Sequence, residues 1–168
     1  MQNGLKMKIN KTFNYSLYIS LAFSLFCCFS CSSNKNISLA DKAAQEFNDG
    51  DLEQARKNYF RHMKKRLLDE SRPNDENPFF YLVLIGDIYL KEEKLERAFY
   101  FYRVGHGKKV KTPLIAYRIR KVALAYHKNK QSEIALDILR EYRELDEFAF
   151  DAEKDKIHRE YINQLNNV

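Results

Sequence analysis

Three thiols are the most reactive groups in this 168-residue chain: Cys27, Cys28 and Cys31 lie within five positions of each other, and no cysteine follows. Residues 32–168 therefore hold neither a disulfide framework nor a cysteine metal site. The other chemistry-bearing residues are sparse. His62, His106, His127 and His158 are scattered with no His-Glu-x-x-His spacing, so no zinc site is expected. Beyond Ser38 the serines are Ser71 and Ser132, both at expected loops or caps and neither in a nucleophile-elbow context. The segment GHGKKVKT at 105–112 has glycines and lysines but lacks the spacing of a phosphate loop and follows a helical stretch. It reads as a solvated loop between helices. No cofactor and no small-molecule substrate are expected.

The cysteines acquire meaning from what precedes them. Lys6, Lys8 and Lys11 are the only charged residues in the first 30, and Leu17–Ser30 is a 14-residue apolar run. That run falls short of the roughly 20 residues a spanning helix needs. A basic head, a short apolar core and small residues at its end describe an export signal, and Met7 serves as a start as well as Met1. The end of the run resembles the lipobox of bacterial lipoproteins, with Ser30 before Cys31 and the polar stretch SSNKN after it. The resemblance implies a lipid on Cys31, with Cys28 as the rival site. It divides the chain into a signal at 1–30, a lipidated tether at 31–37 and a folded domain at 38–168. Ser32 is not the Asp associated with inner-membrane retention, which implies the outer membrane, facing the periplasm. Each acyl CH₂ contributes about 0.8 kcal/mol to such an anchor, so several chains hold firmly.

The formal net charge of +6 includes those three N-terminal lysines; the remainder is spread along the chain. Nothing in it suggests a nucleic-acid partner.

Residues 38–168 read as helix throughout, an all-α domain. Apolar residues recur at helical spacing and breakers are few. Ser38 with Asp41, and Asp51 with Gln54, carry the spacing of N-terminal caps, and Asp49-Gly50 marks a helix end. Asn77-Pro78 and Thr112-Pro113 each pair a capping residue with Pro at the first helical position. Seven helices are expected, near 38–49, 52–69, 78–91, 94–105, 113–129, 131–145 and 148–165.

A repeat emerges from the small residues. Ala43 precedes Ala55 by twelve positions, Gly86 precedes Ala98 by twelve, and Ala123 precedes Ala135 by twelve. Large apolar residues flank them, and the turns read NDGDLEQA, KEEKLERA and NKQSEIAL. Small side chains there let paired antiparallel helices approach to about 8–9 Å. This pattern resembles the tetratricopeptide repeat, best in the middle copy at Leu82, Ile85, Gly86, Tyr89, Leu95, Ala98 and Tyr102. Glu46 stands where the first copy would carry an aromatic residue.

The resemblance implies a short α-solenoid of about three helix pairs with a capping C-terminal helix, in which Phe148, Ala152, Ile157, Tyr161 and Leu165 cover the last pair. It also implies a binding groove on the first helix of each pair. Carried over by position, its residues are Phe47 and Asn48 (with Ala44), then Val83, Asp87, Leu90 and Lys91, then Tyr117, Arg120, Leu124, His127 and Lys128. Ala40 and Ala44 stand where the carboxylate-clamp subfamily would need Lys and Asn. The function expected is a membrane-anchored scaffold holding a protein or peptide of the cell envelope. Two alternatives stay open: a surface-exposed lipoprotein contacting host or matrix molecules, and an enzyme in an unrecognised helical fold.

Overall fold

A computed structural model describes residues 37–166. The signal, Cys28 and Cys31 lie outside the described residues, as does the tether up to Asn36. Seven α-helices follow one another: α1 (Leu39–Asp49), α2 (Leu52–Leu67), α3 (Phe80–Lys91), α4 (Leu95–Gly107), α5 (Thr112–Lys128), α6 (Ser132–Glu141) and α7 (Glu147–Asn166), with a 3₁₀ turn at Arg143–Leu145 before the last. No strand occurs among the described residues, and none of their helices is long and apolar enough to cross a membrane.

The first helix boundaries follow local chemistry. Ser38 Oγ accepts from the Asp41 amide at 3.1 Å and donates to the Asp41 carboxylate at 2.7 Å. Gly50, at φ +90°, ends α1, and Asp51 accepts from the Gln54 amide to start α2. Three later ends share one geometry with a different residue in the left-handed position. Glu93, Lys109 and Lys130 have φ of 59°, 58° and 62°. In each case the next amide reaches back to the helix: Lys94 to Tyr89 O, Val110 to Gly105 O and Gln131 to Tyr126 O. These are Schellman closures, which satisfy carbonyls the helix end would leave bare.

Four expectations need correction. Helix α3 starts at Phe80, because Asn77 and Pro78 first form a tight turn in which Asn77 Oδ1 accepts from the Phe79 amide. Thr112 lies inside α5 and makes no side-chain cap. The stretch 105–112 is no free loop: α4 continues to Gly107, Gly105 is buried, and Val110 folds back into the core. A Cβ on Gly105 would stand 2.9 Å from Val83 Cγ2, so helix packing explains that glycine. Finally, the expected inner face of α7 is only partly right: Ile157 is buried as expected, but Phe148, Ala152 and Leu165 are exposed and Phe150 takes an inner place instead. Phe150 and Ile157 are its fully buried residues, while Phe148 is 87% and Leu165 56% exposed. Ion pairs of Arg120 with Asp146 and of Arg143 with Asp151 flank the start of α7.

Each helix packs chiefly on its chain neighbours. All six small residues of the twelve-residue pattern are buried, at the crossings of α1 with α2, α3 with α4, and α5 with α6. Two apolar clusters result. One joins Ala43, Ala55, Tyr59 and Met63 to Leu82, Ile85 and Ile88; the other runs from Val83 and Tyr102 through Ile119 and Val122 to Phe150 and Ile157. Helix α3 feeds both, which is why its sequence FYLVLIGDIYLK is apolar nearly all round. Three residues beyond the small pair, α3 and α4 stack Tyr89 on Phe101 at 5.3 Å. The same positions of α1 and α2 hold Glu46 and Asn58, and there the buried Asn58 amide donates to the Glu46 carboxylate at 2.7 and 3.0 Å. A polar clasp replaces the aromatic stack.

Candidate functional site

The first helices of the three pairs meet at a groove of about 450 Å³, lined by Phe47 from α1, Asp87, Leu90 and Lys91 from α3, and Tyr117, Arg118 and Lys121 from α5. Five of these residues belong to the set expected from the sequence. Arg118 and Lys121 do not, although their spacing from Tyr117 places them on one side of α5.

The floor of the groove is an ionic knot. Arg118 Nε donates to both Asp87 oxygens at 3.0 Å, and its Nη2 donates to Oδ2 at 2.8 Å. The Tyr102 hydroxyl donates to Asp87 Oδ1 at 2.8 Å. Burial first, and the neighbouring Asp87 charge second, push the Tyr102 phenol far above its ordinary range. It stays a neutral donor, and the three elements α3, α4 and α5 are tied at one point. At the rim, Lys91 Nζ donates to the Phe47 carbonyl at 2.9 Å and sits 4.6 Å from the Phe47 ring centre. Tyr117 is 54% exposed and free to touch a partner. Lys121 is exposed and has no ion-pair partner among the described residues.

The other expected groove residues go elsewhere. Val83 is fully buried in the core, because α3 is covered on both sides. Asn48 is exposed but lies outside the groove lining. Arg120 turns away toward Asp146, 4.0 Å off. Leu124, His127 and Lys128 line a second hollow of about 300 Å³, against Lys156, Ile157, Glu160 and Gln164 of α7, with Lys130 at its edge.

In that second hollow, residue types of a hydrolytic triad come together. His127 Nδ1 lies 2.9 Å from Ser132 Oγ, and His127 Nε2 lies 2.8 Å from Glu160 Oε2. Since the carboxylate only accepts, Nε2 donates to Glu160; in the neutral imidazole Nδ1 then accepts from the Ser132 hydroxyl. The hydrogen bond from His127 draws the Glu160 carboxyl below its ordinary range. Ser132 is only 3% exposed, at the start of α6, and does not line the hollow. A substrate carbonyl has no approach to its hydroxyl in this conformation. The arrangement joins α5, through His127, to the start of α6 and to α7. Among the described residues, no group of three or more His, Cys, Asp or Glu is placed to hold a metal ion.

No family model matches the chain, and no curated protein matches it significantly.

Proposed function

We propose that this chain is an exported, lipid-anchored scaffold of the bacterial cell envelope, built as a short tetratricopeptide-type solenoid, that holds a segment of a partner protein in the groove between α1, α3 and α5. The observation that carries the reading is the groove's composition: equivalent helices of three successive pairs contribute Phe47, Leu90 and Tyr117 to one surface. The twelve-residue small pairs, each buried at a crossing, support the repeat reading. An apolar hollow flanked by charged side chains suits an extended or helical segment. Binding rather than catalysis is the proposed role, because the Ser–His–Glu cluster around His127 is closed to substrate.

The anchor half of the proposal rests on the apolar run ending at Cys31 and on the polar tether after it. Cys31→Ala moves the protein from the membrane to the soluble fraction. Retention of that variant in the detergent phase transfers the lipid to Cys28 or replaces it with an uncleaved anchor. The groove half is tested by a photo-crosslinking residue at Tyr117 in living cells, with Tyr100, exposed on α4, as the control position. A discrete adduct with an envelope protein from position 117 alone is expected. Identical adduct patterns from both positions would overturn the groove.

A further inference from the structure

The groove is cationic because of how its charges are paired. Its single carboxylate, Asp87, is occupied by Arg118 and Tyr102. Lys91 reaches only a backbone carbonyl and a ring face, and Lys121 meets no anion among the described residues. Two ammonium groups therefore stand at the rim uncompensated. The same stripe of α5 runs on past Lys121. Tyr117, Lys121, Leu124 and Lys128 fall within an arc of about 60° at the helical period. Lys128 is exposed at the second hollow and forms no ion pair among the described residues; Glu160, which lines the same hollow, is bonded to His127. At 1.5 Å per residue, Lys121 and Lys128 are about 10 Å apart along the axis.

We infer that the groove takes an acidic, extended segment of a partner protein, with one apolar side chain lodged among Phe47, Leu90 and Tyr117 and two carboxylates set on Lys121 and Lys128. The inference rests on the groove reading above and adds the chemistry of its ligand. A segment in polyproline-like conformation presents every third side chain on one side, about 9 Å apart, which matches the lysine spacing. Carboxylates three positions apart would reach both ammonium groups while the apolar residue enters the hollow. A basic segment would meet Lys91, Lys121 and Lys128 as like charges, which disfavours it on approach as well as when bound.

The test uses the full chain purified in detergent micelles and three pools of fluorescein-labelled dodecapeptides. Each pool fixes a central Phe and a residue pair three positions apart; the pair is Glu, Gln or Lys. The Glu pool binds about fivefold or more tighter than the Gln pool at low salt, an advantage that fades as salt rises, and the Lys pool binds worst. The double charge reversal Lys121→Glu with Lys128→Glu, both on exposed positions, inverts the order. Circular dichroism verifies that each variant is folded. Equal binding of all three pools, still abolished by Leu90→Lys or Tyr117→Ala, would overturn the acidic preference and leave the groove. No binding of any pool, or binding indifferent to Leu90→Lys and Tyr117→Ala, would overturn the groove reading itself.

Discussion

Arg118 grips Asp87 across the space between α3 and α5, with three donor contacts of 2.8–3.0 Å from residues 31 positions apart. The pair is partly buried, and Tyr102, with no exposed surface, shares the same carboxylate. Asp87→Ala leaves both the guanidinium and the phenol without their acceptor and should cost about 2 kcal/mol or more. Asp87→Asn keeps an acceptor and should cost less. Urea unfolding monitored by circular dichroism measures both. Equal midpoints for wild type and Asp87→Ala would remove the knot from the account of stability.

The ring of Tyr102 also fills the place a side chain would take at position 86. A Cβ on Gly86 would lie 2.5 Å from Tyr102 Cε1 and 2.8 Å from Cδ1. Alanine gains about 1 kcal/mol of helix propensity over glycine. Here overpacking should outweigh that gain, at about 1–3 kcal/mol, because the buried ring has nowhere to move. Gly86→Leu should abolish cooperative melting. Gly107 makes the contrast: nothing lies within 4 Å of its added Cβ, and Gly107→Ala should raise the melting temperature. If Gly86→Ala also raises it, the close crossing of α3 and α4 is wrong.

Glu93, Lys109 and Lys130 hold left-handed backbone that favours glycine. All three are exposed. Glu93→Gly and Lys109→Gly should each stabilise by up to about 1 kcal/mol, since the left-handed penalty exceeds the entropy that glycine adds to the unfolded chain. The two sites flank opposite ends of the 13-residue α4, about 20 Å apart, and should add. Thermal melts of the single and double variants test this, and a fall in both singles would count against the Schellman geometry.

The docking of α7 should loosen in acid. Hydrogen bonds from Arg143 and then Lys154 hold the Asp151 carboxyl down to about 2, and the hydrogen bond from His127 draws Glu160 below its ordinary range. Both folded values lie below the ordinary values of 3.8 and 4.5. Their contribution is therefore present above those values and disappears as pH falls through the folded ones, toward about 2 for Asp151. Both groups are solvent-accessible, so salt should weaken the effect. Melting temperature followed from pH 5 to pH 2 should fall less steeply in the Asp151→Asn, Glu160→Gln double variant. Parallel slopes would show that neither pair contributes.

The clasp between Glu46 and Asn58 should be costly to open from one side. Glu46→Ala removes the acceptor of a buried amide and should destabilise by about 1–3 kcal/mol. Replacing both with apolar residues, Glu46→Tyr with Asn58→Phe, should recover much of that loss by recreating the stack seen at Tyr89 and Phe101. A double variant less stable than Glu46→Ala would show that the polar clasp suits this crossing better than rings do.

What could be read from the chain alone was whatever depends on neighbours a few residues away. The caps at Ser38 and Asp51 and the stop at Gly50 are contacts within three positions, so their side chains announce them. The twelve-residue small pairs are nearly as local, because a helix, a turn and the returning helix fix which residues cross. From these follow the all-helical class, the helix pairs and, to within about one turn, their ends. The tertiary structure decided rotation and partnership. Tyr117 was legible as a groove residue, but whether Arg118 or Arg120 stands beside it depends on Asp87, 31 positions away, and on Asp146 drawing Arg120 off. Val83 could not be sorted from Leu90 by pattern, since α3 is apolar on nearly every side and only its two covering clusters distinguish them. The phase of α7 was equally open, with apolar residues at Phe148 and Phe150 on opposite faces, and only packing against the core cluster selects Phe150, with Ile157, as the inner pair. Local hydrogen bonding sets where a helix begins and ends; which face it presents is chosen by the packing and charge of distant segments.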